Sequence, residues 1–139
     1  MRNIKEMTAA LQRCENFKTF YEKNKQHMIT EPLAQQLCDL LKAKGLKKSG
    51  VIKKAEIAEV YGYQIFSGIR QPERKKLLCL ALGMDLSLEE TQVILTNTGY
   101  PPLYVRRPFD SVVMFGICKK LPVAQINELL FSYNLETLG

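Results

Sequence analysis

The chain has 139 residues, 46% of them hydrophobic and 24% charged, with a formal net charge of +6. That length suits one domain core with a small appendage, and the composition is not that of a disordered chain. The apolar runs are too short to span a bilayer. The charged opening MRNIKEMTAALQRCENF lacks the uninterrupted apolar segment of a signal peptide, so a cytoplasmic protein is expected.

Along the chain, Ile4, Met7, Leu11, Cys14, Phe17 and Tyr21 recur at steps of three or four. This predicts one amphipathic helix, or two short ones broken near Cys14–Asn16. Thr30-Glu31-Pro32 predicts a helix start with Thr30 as the capping hydroxyl; the stripe Leu33, Leu37, Leu40 and Leu41 follows, and Gly45 predicts the stop. A short helix is expected over Lys48–Ala55, with Val51, Ile52 and Ala55 inward. The next is expected over Ala58–Ser67, closed by Gly68, and another over about Glu73–Leu82, stopped by Gly83. Ser87 with Glu90 three residues on reads as a capping box, opening a helix that ends at Gly99. Tyr100-Pro101-Pro102 must be non-helical. Helical patterns over Phe109–Lys120 and Pro122–Tyr133 finish the chain, although the β-branched run Asp110–Ile117 leaves a strand open as the lesser alternative. The expected architecture is all-α: an N-terminal helical extension (1–30), a central domain (31–99) and a C-terminal helix pair (100–139) that packs on the domain or extends it.

Cys14, Cys38, Cys79 and Cys118 show no close C-x-x-C spacing, and His27 is the one histidine. No metal site or cofactor is expected, and the thiols read as reduced and half-buried. The catalytic motifs of nucleophilic, phosphate-binding and zinc enzymes are missing, and the adjacent Glu89 and Glu90 point apart on a helix start, so the chain is not read as an enzyme. The charge carries more information. Residues 42–76 hold ten basic and three acidic side chains, a local charge of +7, while 1–41 carry +1 and 77–139 carry −2. Such a window suits a polyanion, or is simply a solvated lysine-rich surface.

Within that window lies LKKSGVIKKAEIAEVYGYQIFSGIRQP, Leu46–Pro72. A leading helix ends in Lys44-Gly45-Leu46. The pair Val51-Ile52, the helix exit Ile65-Phe66-Ser67-Gly68, the Gly-x-Arg-x-Pro stretch Gly68–Pro72 and a leucine-rich helix then follow in order. The ordered set, from Pro32 to about Gly99, resembles the helix-turn-helix of the Xre family, the phage-repressor and Cro-like transcriptional regulators. The resemblance implies a repressor-like helical bundle that binds duplex DNA as a homodimer, with residues 58–67 as the recognition helix in the major groove. It implies Glu59, Val60, Tyr63 and Gln64 as base-reading residues, with Gln64 suited to adenine, Val60 to a thymine methyl and Glu59 to a cytosine amine. Lys47, Lys48, Ser49, Arg70, Arg74 and Lys75 would hold phosphates, with Tyr61 and Ser67 at the groove wall. Packing of Tyr61 against the core is the alternative for that residue, and Phe66 is expected to pack. Arg106-Arg107 reads as a loop surface or a second phosphate contact. Residues 1–30 and 100–139 are the candidate dimerisation surfaces.

Three positions depart from the family pattern. Glu56 stands where the turn usually has glycine, so a costly left-handed residue is expected there. Ile52 stands where a small residue is usual and Gly62 where a large one is, which predicts that Ile52 fills the space Gly62 vacates. Glu59 puts a carboxylate at the groove entrance, where it would act against wrong bases or mark a surface that does not touch DNA. The alternative function is a protein-interaction adaptor, such as an antitoxin or an inhibitor docking on a protein partner.

Overall fold

The computed structural model describes residues 3–139, so the first two positions of the predicted N-terminal extension lie outside the described residues. The described chain forms nine α-helices and one 3-10 turn, with no strand. The strand left open over Asp110–Ile117 is therefore corrected: those residues are helical. Two compact units divide the chain, Met1–Thr30 and Glu31–Gly139.

In the first unit, α1 (Ile4–Arg13) and α2 (Phe17–Asn24) are separated at the expected break. Asn16 marks that break by capping α2, as Asn3 caps α1: each side chain accepts a backbone N–H of the helix it opens, from Thr19 and Lys5. A 3-10 turn, Lys25–His27, follows. Phe17 packs against Phe20 and Tyr21 at ring-centroid distances of 6.1 and 5.9 Å. Helix α1 has no buried residue, and Ile4, Leu11 and Phe17 are exposed.

The second unit holds α3 (Leu33–Lys44), α4 (Lys48–Ala55), α5 (Glu59–Ser67), α6 (Arg74–Gly83), α7 (Leu88–Asn97), α8 (Pro108–Cys118) and α9 (Val123–Ser132). One core runs through all of them, from Leu33 and Leu37 to Leu130 and Leu138. Helix α6 is its axis, with Leu77, Leu78, Cys79, Leu80 and Ala81 all buried. Burial pushes the Cys79 thiol up to about 11, which leaves it a protonated, unreactive core group.

Two local expectations are corrected. Thr30 does not cap α3: Pro32 is the N-cap residue, without a side-chain cap, and the Gln36 amide donates to the Glu31 carbonyl instead. Gly83 does not stop α6 but is its last helical residue. A Cβ there would lie 2.5 Å from the Val51 carbonyl oxygen and 3.1 Å from Ala55 Cβ, so the glycine lets α6 close on α4. The reversal falls to Asp85, at φ 57°. The Ser87–Glu90 capping box is present. Donation from the Ser87 backbone N–H, helped by the Lys44 ammonium at 3.1 Å, holds the Glu90 carboxyl below its ordinary range.

The last four helices are two copies of one module. Helices α7 and α9 have equal length and stand 35 residues apart, from Leu88 to Val123. At the same offset the left-handed residues Asp85 and Lys120 recur, as do Gly99 and Asn134. Each copy ends in an extended strap held by a side-chain amide. Gln92 Oε1 accepts the Leu103 N–H and Asn127 Oδ1 accepts the Leu138 N–H, both at 2.7 Å and both across eleven residues. The identical core leucines are Leu86/Leu121, Leu95/Leu130 and Leu103/Leu138.

Candidate nucleic-acid interface

Helices α4 and α5 are joined by Glu56-Ile57-Ala58, and the turn depends on Glu56 in the left-handed region, at φ 55° and ψ 41°. The residue that departs from glycine there has the backbone conformation that the sequence led one to expect. The Ile52–Gly62 exchange is present too. A Cβ on Gly62 would stand 2.7, 2.8 and 3.0 Å from Ile52 Cγ1, Cδ1 and Cγ2, inside any normal carbon contact. The isoleucine occupies the volume that a larger residue at 62 would need, and the two helices close on each other through it.

That closure fixes which side of α5 faces the core. Gly62, Ile65 and Phe66 are buried, so Phe66 packs as expected. Glu59, Val60 and Ser67 are exposed on the other side; Val60 is 70% and Tyr63 39% exposed, and Gln64 is half-buried beside them. Glu59 sits in the first turn, at the positive end of the helix dipole, where a carboxylate is favourable without any ligand. The four predicted base-reading residues thus share one outward side of one short helix.

The predicted phosphate-binding residues separate into two groups. Lys47, Lys48 and Ser49 are exposed at the start of α4, which has no side-chain cap and no acid in its first turn. Two ammonium groups beside uncapped N–H donors are electrostatically unfavourable alone and favourable around an anion. Arg70 is exposed just past α5. Its guanidinium lies 5.2 Å from the centroid of the Tyr61 ring, and Tyr61 is half-buried against the core, so the packing alternative describes that residue. Ser67 Oγ donates to its own helix, to the Gln64 carbonyl at 3.1 Å.

Arg74 and Lys75 are each engaged by a distant carboxylate, a pairing the predicted phosphate role did not include. Arg74 forms a bidentate pair with the buried Asp110, at 3.0 Å to each oxygen, and donates to the carbonyls of Pro101 and Pro102 at 2.9 and 3.1 Å. Four guanidinium hydrogen bonds commit it to joining α6, the first strap and α8. Lys75 Nζ pairs with Glu136 at 2.8 Å and lies 5.7 Å from the Phe109 ring centroid. Local charge counting missed both because the partners lie far along the chain, Asp110 by 36 residues. Arg106 and Arg107 are exposed; Arg107 precedes α8 and lies over the Tyr104 ring at 6.0 Å.

The sequence reading also missed the support beneath the α5 exit. The Tyr100 hydroxyl accepts from Gln71 Nε2 at 2.9 Å and donates to the Pro72 carbonyl. Partial burial raises the Tyr100 pKa, which keeps the donating proton in place. Beside it, Asp110 also accepts the Tyr104 N–H at 2.9 Å. The Gly68–Pro72 loop is thereby tied to the duplicated half. Among the described residues, no group of three His, Cys, Asp or Glu is placed to hold a metal ion, and no helix is long and apolar enough to cross a membrane. No family model, curated protein or solved structure matches the chain.

Proposed function

We propose that this protein is a transcriptional regulator of the Xre type, a repressor that binds duplex DNA sequence-specifically as a homodimer through a helix-turn-helix formed by α4 and α5. The observation that carries the reading is the outward side of α5. Val60 and Tyr63 are exposed and Gln64 is half-buried on that side, and the uncapped start of α4 exposes Lys47 and Lys48. A helix of this kind fits the major groove, where amide, phenol and methyl groups meet distinguishable base edges. Lys47, Lys48 and Ser49 supply the sequence-independent hold on phosphates. The left-handed Glu56 and the closed Ile52–Gly62 contact further support the motif, since both preserve its geometry with different residues. The exposed Ile4, Leu11 and Phe17 of the first unit offer an apolar surface for a two-fold partner.

The test is selection of bound duplexes from a random pool. Gln64→Ala is expected to relax preference at one or two base pairs and to cost about 1–3 kcal/mol on the selected site. Equal preference profiles for the variant and the wild type would remove Gln64 from the base-reading set. Lys48→Ala is expected to weaken every duplex alike and to lower the salt slope by about one unit. An unchanged slope in a salt titration would place Lys48 away from the phosphates. A protein partner on the same side of α5 is the second reading, favoured by the exposed Val60 and the carboxylate of Glu59; retention of the chain on that partner but not on random duplex DNA would select it.

A further inference from the structure

We infer that Arg70 is a positioning residue for Gln64, and that it fixes the amide so that its NH2 donors are turned to one base edge. The inference rests on the DNA-binding reading above and changes the role of Arg70 within it, from phosphate contact to specificity. Arg70 Nε donates to Gln64 Oε1 at 3.1 Å. The backbone brings the two residues together: with Gly68 left-handed at φ 85°, the chain folds back so that the Ile69 and Arg70 N–H groups both donate to the Gln64 carbonyl, at 3.0 and 3.2 Å. The guanidinium also lies over the Tyr61 ring, 5.2 Å from its centroid.

A glutamine amide can ordinarily turn over and offer either its carbonyl or its NH2 group, because the two ends differ little in shape. Here the turned-over amide would set NH2 donors against a guanidinium, which has donors only. The oxygen is therefore held toward Arg70 and the two Nε2 protons are left for a partner. The major-groove edge that matches two protons is one with two acceptors, the O6 and N7 of guanine. Adenine, which the sequence alone suggested, would have to reach the second lone pair of the oxygen that Arg70 already holds, in competition with the guanidinium.

The deciding experiment compares duplexes selected by the wild-type protein, Gln64→Ala, Arg70→Ala, Arg70→Lys and the double variant Gln64→Ala/Arg70→Ala, with circular dichroism to confirm folding. The wild type is expected to select guanine at one position. Arg70→Ala and Arg70→Lys should both admit adenine at that position, with discrimination falling about tenfold. Arg70→Lys should keep the wild-type salt slope, which separates charge from positioning. The double variant should discriminate there no worse than Gln64→Ala alone. A uniform loss of affinity in Arg70→Ala, with base preference unchanged at every position, would overturn the inference while leaving the DNA-binding reading intact. Wild-type protein that retains no duplex at low salt would overturn both.

Discussion

Replacing Arg74 by alanine is expected to destabilise the second unit by about 3–5 kcal/mol, because it leaves the buried Asp110 carboxylate with no cation. Asp110 is 3% exposed and would retain only the Tyr104 N–H as a donor from the present arrangement. The Pro101 and Pro102 carbonyls would lose their guanidinium donors as well. Against a typical domain stability of about 5–15 kcal/mol, this is a large fraction of the total. Arg74→Lys keeps the charge but not the planar, bidentate geometry, and should fall between the alanine variant and the wild type. Urea titration followed by circular dichroism measures the difference. A midpoint for Arg74→Ala within error of the wild type would mean that the cluster contributes nothing, and would return Arg74 to the list of free cations.

The second large effect is expected at the α4–α5 contact, and its sign depends on the residue opposite. Gly62→Ala should gain about 1 kcal/mol of helix propensity yet destabilise overall, by about 1–3 kcal/mol, through overpacking. Three carbons of Ile52 lie within 3.0 Å of the added methyl. Ile52 is β-branched and 3% exposed, so it has little room to turn away. Ile52→Ala alone should cost about 2–5 kcal/mol through the cavity it opens. In the double variant Ile52→Ala/Gly62→Leu, the volume returns from the other helix, and a favourable coupling of about 0.5–3 kcal/mol is expected. Strict additivity of Ile52→Ala and Gly62→Leu, each also measured alone in the same urea titration, would show that the residues do not compete for one space.

The helical pattern was legible because most helices carry their own punctuation. Gly45, Gly68 and the Ser87–Glu90 box mark ends that need no distant partner, and the structure has them as expected. The Ile52–Gly62 exchange was also legible, since it follows from two adjacent helices having to close. Long-range chemistry was not. Arg74 and Lys75 look like any other members of a basic window until Asp110 and Glu136 are brought beside them. Gly83 has the usual look of a stop signal, and only the approach of α4 gives it another purpose. The duplication was written too faintly, in three shared leucines with conservative apolar exchanges such as Leu78 for Val113. The repeated spacing Leu86, Leu95, Leu103 and Leu121, Leu130, Leu138 was the one signal that could have exposed it. Within the candidate site, side-chain identities were readable, but the Arg70–Gln64 hydrogen bond was not, because it depends on the chain folding back after Gly68.

The paired modules bear on how the molecule comes apart. In a stacked array, each member leans chiefly on its neighbours, and opening can proceed member by member. Asn127 latches the second member and Gln92 the first, while Glu136 and Leu138 of the second strap close directly on Lys75 and Cys79 of α6. Loosening of the distal end therefore bears on α6 first and reaches α5 only through the core the two helices share.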